Sequence, residues 1–210
     1  MTHVVLLGDS SFDNGPYVGS DPDVTAHLRG LLSPGGRVTL LAVDGAISLG
    51  VPHQAAGIPA DATHLVLSVG GNDALMRADV LETPVASSAE AFLLLADAVA
   101  DFERSYRAAV TAVLARGLPL VVCAIYNASF PEADYQRCVQ VAVAVYDDVI
   151  IRVATEHGLP VIDLRAVCCD PADYVLDIEP SAAGGARIAA AVCRAVTEPD
   201  APGARIFGAA

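Results

Sequence analysis

The stretch His3-Val4-Val5-Leu6-Leu7-Gly8-Asp9-Ser10 is a short apolar run of the buried-strand type, and it ends in a glycine, an aspartate and a serine. About sixty residues on, His64–Val69 repeats the pattern and runs into Gly70-Gly71-Asn72-Asp73. A serine on the turn after one strand and an asparagine on the turn after another can face each other across the mouth of a parallel sheet. That pairs a nucleophile with an amide donor, which is half of what acyl transfer requires.

Outward from these two stretches, strands and helices alternate. Asp21–Leu32 has helical spacing with acidic residues at its start, Arg37–Val43 reads as a second strand, and Ser48–Ile58 as a short helix despite Gly50 and Pro52. Ser87–Arg116 is a long amphipathic helix with Ser87 or Ser88 as N-cap and Gly117 as its stop. Leu118–Ile125 is a fourth strand, Pro131–His157 a second long helix ended by Gly158, Leu159–Leu164 a fifth strand, and Ser181–Val196 the closing helix. From Thr197 the chain is rich in Pro and Gly and is expected to fray. We therefore expect one domain over residues 1–198 and a C-terminal tail over 199–210. The alternation implies an α/β fold, a three-layer sandwich whose five-stranded parallel sheet carries helices on both faces. Ligands of such sheets bind outside the carboxyl ends of the strands. Ser10, Gly45, Asn72, Tyr126-Asn127 and the Asp177–Glu179 stretch all fall there.

Composition narrows the partners. The chain has 210 residues, 54% of them hydrophobic, which excludes a disordered polymer. Its formal charge of −13 argues against nucleic acid or an anionic membrane surface. All 12 basic residues are arginine. The five cysteines, Cys123, Cys138, Cys168, Cys169 and Cys193, show no metal spacing, and no cofactor motif is present. Met1-Thr2 leads at once into the first strand, with no charged or apolar leader, and the apolar runs are too short to span a bilayer. The expectation is a cytoplasmic protein with a small-molecule partner and an open oligomeric state.

Gly8-Asp9-Ser10, the lone glycine of Asp44-Gly45 after strand two, and Gly70-Gly71-Asn72-Asp73 together resemble the SGNH, or GDSL, hydrolase superfamily, and the resemblance covers nearly the whole chain. It implies a flavodoxin-like sheet of strand order 2-1-3-4-5. It also implies a serine esterase or acyl-hydrolase acting on a small ester or acylated substrate. Ser10 would be the nucleophile. The Ser10 and Gly45 N–H groups and the Asn72 side-chain amide would form the oxyanion hole.

The last block departs from that pattern. The family normally carries Asp, two residues, then His, commonly followed by Pro. Here the frame reads Leu176-Asp177-Ile178-Glu179-Pro180-Ser181, so Glu179 aligns with the missing histidine and Leu176 with the missing aspartate. His3, His64 and His157 lie away from the mouth of the sheet, His27 is mid-helix, and the helix of His53 is expected to lead away. A carboxylate is left as the base. An ordinary Glu, with a pKa of about 4.3, is feeble at neutral pH, but burial or a second carboxylate raises it, and Asp177 is the expected neighbour. Asp9, Asp13, Asn14, Tyr126 and Asn127 are expected to line or brace the substrate pocket, with Tyr17 in the same polar loop. Two other classes stay open: a weak or inactive relative that binds an acyl or sugar ligand, and a flavodoxin-like nucleotide binder with the loop from Asp9 to Gly15 as an anion cradle.

Overall fold

The computed structural model describes residues 1–198; the tail expected over 199–210 lies outside the described residues. In chain order the elements are β1 (His3–Gly8), α1 (Gly15–Val18), α2 (Val24–Leu31), β2 (Arg37–Leu40), α3 (Val51–Ala56), β3 (His64–Ser68), α4 (Gly71–Leu75), α5 (Ser88–Leu114), β4 (Leu120–Ala124), α6 (Ala133–His157), β5 (Val161–Asp163), α7 (Leu164–Val167), β6 (Tyr174–Val175), β7 (Glu179–Pro180) and α8 (Ala182–Thr197). The first five strands form one sheet in the order β2-β1-β3-β4-β5, every pair parallel. This is the expected architecture and strand order. The remaining two strands make a small antiparallel ribbon that the sequence reading did not anticipate.

Alternation along the strands builds two cores. Val5 and Leu7 of β1, Leu65 and Leu67 of β3, and Leu120 and Val122 of β4 face α3, α5 and α6. Val4, Leu6, Val66, Val121 and Cys123 face α2, α7 and α8. Strands buried on both faces read as unbroken apolar runs, which is why they stood out in the sequence.

Caps set the helix limits. Asp23 accepts from Ala26 N, Ser87 from Glu90 N and Ser181 from Gly184 N, while α6 stops at Gly158 in a left-handed conformation. β2 is shorter than expected because Leu41 N and Ala42 N both donate to Leu6 O, which slips the ladder by one residue. The far halves of α5 and α6 are clamped by ion pairs. Arg152 and Arg107 both bind Glu103, and Arg107 also binds Glu156. These two arginines, Arg152 foremost, hold the Glu103 carboxyl down at about 2.

Two close approaches position the elements that carry the site. Gly8 ends β1 with φ +125°, and a Cβ there would lie 1.7 Å from Ser68 O on β3. The buried Gln54 side chain of α3 clasps the same residue, accepting from Gly8 N (2.7 Å) and donating to Gly8 O (2.8 Å). At the other end of the chain, a Cβ on Gly184 would lie 2.2 Å from Asp173 O, so the first turn of α8 sits directly on the segment leading into the ribbon.

Gly8→Ala is therefore expected to lower stability by about 3 kcal/mol or more, since it combines backbone strain with overpacking. Gln54→Leu strands the buried Gly8 N–H, while Gly8 O keeps Val43 N as a donor, so it should cost about 1–3 kcal/mol. Both effects should be read as a reduced urea midpoint with an unchanged slope; a midpoint within error of the parent for Gly8→Ala would contradict the close approach.

Candidate active site

The carboxyl ends of β1, β3 and β4 open into a cleft of about 1090 Å³, and Asp9, Ser10, Ser11, Asn72, Tyr126 and Glu179 all lie on its wall. Ser10 follows directly on the Gly8 junction. Its turn is fixed by Asp9 N donating to Ser68 O and by Phe12 N and Asp13 N donating to Asp9 O. Ser10 itself is buried. Its backbone N–H and that of Gly45 take no part in the hydrogen bonds of the described residues.

The loop after β2 and the turn after β3 are tied to each other. Asn72 Nδ2 donates to Ala46 O at 3.0 Å, which orients the amide and leaves its second proton free. Asp73 accepts from Ser48 N (3.0 Å) and from the Ser48 hydroxyl (2.5 Å), which also meets Ser105 Oγ of α5 (2.6 Å). Gly45 lies on the exposed part of this loop with φ +75°. Asp13 and Tyr17 brace the residue before it: Asp44 N donates to Asp13 Oδ2 at 2.9 Å, and Tyr17 Oη donates to Asp44 Oδ2 at 2.7 Å.

Glu179 arrives from the opposite side, on the ribbon β6–β7. Leu176 and Asp177 turn that ribbon with φ of +49° and +66°, and Ser129 N donates to Asp177 O at 2.7 Å. Within the two-residue strand β7, Glu179 points inward and is buried. Ser10 and Glu179 lie together on the cleft wall, close enough for the Ser10 hydroxyl to act on the Glu179 carboxylate. Burial pushes the Glu179 carboxyl above its usual range, the Ser10 contact opposes this, and the negative charge of Asp44 adds to it. Glu179 Oε2 is buried with no partner among the described residues. Asp177, the carboxylate expected beside Glu179, is exposed at the tip of the turn. Asp44 occupies that electrostatic role instead, because the left-handed turn aims residues 176 and 177 outward.

The other expected pocket residues divide. Asn14 is wholly buried and committed at both ends, with Nδ2 donating to Pro180 O (3.0 Å) and Oδ1 accepting from Val24 N (2.9 Å), so it fixes the strand that carries Glu179. Asp9 accepts from Ser11 N at 3.0 Å; burial raises its carboxyl to about 7, opposed by the Ser11 hydrogen bonds and reinforced by Asp73 and Glu179. Tyr126 lies on the cleft wall and packs edge-on against Tyr174 of the ribbon, ring centroids 5.4 Å apart. Asn127 is not on the cleft wall; its carbonyl accepts from Gln136 Nε2 at 3.0 Å. Sequence reasoning missed Gln54, Ser48 and Asp44, whose parts depend on contacts between distant loops. The one available signal was Asp44's place before the turn glycine.

No histidine lies on the cleft wall, and all five are among the described residues. His3 is buried at the opposite end of β1 against Thr39 and Asp61, and His64 contacts Thr63. Burial lowers the pKa of both. Among the described residues no group of three or more His, Cys, Asp or Glu side chains is arranged to hold a metal ion. No helix among them is long and apolar enough to cross a membrane.

Comparison with known proteins agrees with this fold. No curated protein matches the chain in sequence. Among solved structures it is similar to an extracellular lipase from Streptomyces rimosus, at 19% identity and a TM-score of 0.70 over 91% of this chain and 98% of that one. It is also similar to a phospholipase A1 from Streptomyces albidoflavus, at 21% identity and a TM-score of 0.69 over 91% and 98%. An acetylxylan esterase from Geobacillus stearothermophilus aligns at 18% identity and a TM-score of 0.68 over 93% and 94%. The GDSL-like lipase/acylhydrolase family matches residues 6–187, from the strand that delivers Ser10 to the helix that follows Glu179, and the chain belongs to that family.

Proposed function

We propose that the protein hydrolyses an ester or acyl bond with Ser10 as nucleophile and Glu179, in place of histidine, as general base. The observation that carries this reading is that Ser10 and the buried Glu179 share the cleft wall, with no histidine on it, and that burial raises the pKa of the carboxyl. A serine hydroxyl needs a base to take its proton, and an elevated Glu is a competent one near neutral pH. A catalytic mutant of the Geobacillus esterase is a serine-to-alanine change, which supports serine chemistry in this fold.

In this mechanism Ser10 Oγ attacks the substrate carbonyl as its proton passes to Glu179. The negative charge on the carbonyl oxygen is met by the Ser10 and Gly45 N–H groups and by the free amide proton of Asn72. Collapse expels the leaving group, which takes the proton from Glu179 and leaves an acyl ester on Ser10. Water then attacks the acyl ester, Glu179 accepts a proton from that water, and Ser10 departs with it. Asn14 keeps Glu179 in reach, Asp13 and Tyr17 hold the Asp44–Gly45 loop, and Tyr126 flanks the bound carbonyl.

The missing imidazole favours one alternative, a weakly catalytic relative that binds an acyl ligand. Turnover of a p-nitrophenyl ester separates the two. We expect detectable hydrolysis, slower than that of histidine-based enzymes, reduced at least about a thousandfold in Ser10→Ala. Glu179→Gln should lower kcat by about 10²–10⁴, and Glu179→His should raise it above the Gln variant. Full activity in Glu179→Gln would remove Glu179 from the mechanism. Only the ionised Glu179 accepts a proton, so kcat/KM should rise with pH through its raised pKa and then level off. Asp44→Asn removes a charge that opposes this ionisation, and the rise should move to lower pH. A profile that does not move would show that Asp44 has no hold on the base.

A further inference from the structure

We infer that the substrate carries a long, straight acyl chain, which lies in an apolar groove running from Ser10 between the first turns of α5 and α6; this rests on the reading of Ser10 as an acyl-accepting nucleophile. Arg107 pairs with Glu156 and Arg152 with Glu103, each 49 residues apart, so α5 and α6 run side by side in parallel. That offset brings Phe92 and Leu95 level with Val141 and Ala144. The two helices are clamped at their far halves, and the Phe102 and Tyr146 rings, 4.9 Å apart, close the space between them. Toward the active site the same pair of helices lines the open cleft. Leu81, Leu95, Ile125, Val139 and Val143 wall it in continuity with Ser10, Asn72 and Glu179.

The chemistry of this wall selects the ligand. Its two cations are already paired, Arg77 with Asp79 and Asp101, and Arg137 with Asp134, so the groove does not present them to an anionic group. The polar edge residues Asp134, Arg137 and Gln140 are exposed, while the floor at Ile125, Val143 and Tyr146 is buried and mostly aliphatic. Phe92 and Val141 extend the apolar surface to the rim, each more than half exposed. Exposed apolar surface on this scale, joined to a reactive centre, fits a ligand that is itself apolar.

Which half of the ester enters the groove follows from the base. Glu179 must hand its proton to the leaving oxygen, and it approaches on the ribbon that feeds α8, on the α2–α8 face. The groove opens on the α5–α6 face. The leaving group therefore lies toward the ribbon and the acyl chain toward α5 and α6.

The test compares kcat/KM for p-nitrophenyl acetate and p-nitrophenyl octanoate, with calorimetric binding of 2-butanone and 2-decanone to Ser10→Ala as a readout independent of turnover. Complete burial would favour each added methylene roughly fourfold; we expect octanoate to exceed acetate by at least about thirtyfold, well inside that limit. Val139→Trp, which fills the groove, should bring the octanoate-to-acetate ratio close to one. Leu81→Glu should do the same from a largely exposed position that tolerates a polar side chain. Ser10-dependent turnover of acetate with a ratio near or below one would overturn the acyl groove and leave the serine mechanism standing. No turnover of either ester, with 2-decanone bound much more tightly than 2-butanone, would uphold the groove and overturn the hydrolase reading. No turnover and no preference between the ketones would overturn both.

Discussion

The contact between Gly8 and the Ser68 carbonyl is the constraint on which the site depends. β1 and β3 approach so closely at their carboxyl ends that no side chain fits at residue 8. That closeness delivers Ser10 and Asn72, each a few residues beyond its strand, to the same cleft. The Gln54 clasp completes the junction by accepting from the buried Gly8 N–H and by sharing Gly8 O with Val43 N. Ser10 is thus positioned by backbone sterics and one amide.

Around this junction the protein concentrates negative charge. Burial is the leading cause of the raised pKa of Asp9, Asp73 and Glu179. Hydroxyls and backbone N–H groups moderate it, and neighbouring carboxylates reinforce it at Asp9 and Glu179. Arginines are engaged elsewhere, Arg107 and Arg152 in the helix clamp, Arg165 with Asp163 and Asp147, and Arg187 with Asp173. An arginine beside Glu179 would stabilise its anion and make it a poorer base. Hydroxyl contacts leave it basic while still fixing its position.

Much of the scaffold was legible because its signals are local. The doubly buried strands read as unbroken apolar runs, the long helices carry their own caps, and Ser10 and Asn72 sit at fixed distances beyond their strands. The SGNH-type arrangement of those motifs also supplied the strand order. The ribbon β6–β7 was not legible, since two-residue strands have no period and the left-handed turn begins at Leu176, a residue that rarely adopts that conformation. Its geometry decides that residue 179 faces the serine and residue 177 faces solvent. The parts played by Gln54, Ser48 and Asp44 were hidden for a related reason: each acts across 25 or more residues of sequence on backbone or charge that only the folded chain brings near.

The ribbon also gives the cleft two separate supports. Ser10 and Asn72 follow directly on β1 and β3, where a change disturbs packed strands on both faces. Glu179 hangs on a short appendage held by Asn14, Ser129 and the Tyr126–Tyr174 ring contact, none of which hydrogen-bonds the side chain at 179 itself. Exchange of imidazole for carboxylate there leaves the scaffold's hydrogen bonds intact. The side chain at 179 can consequently be exchanged with little cost to the fold, whereas a change at Ser10 falls on the Gly8–Ser68 junction itself.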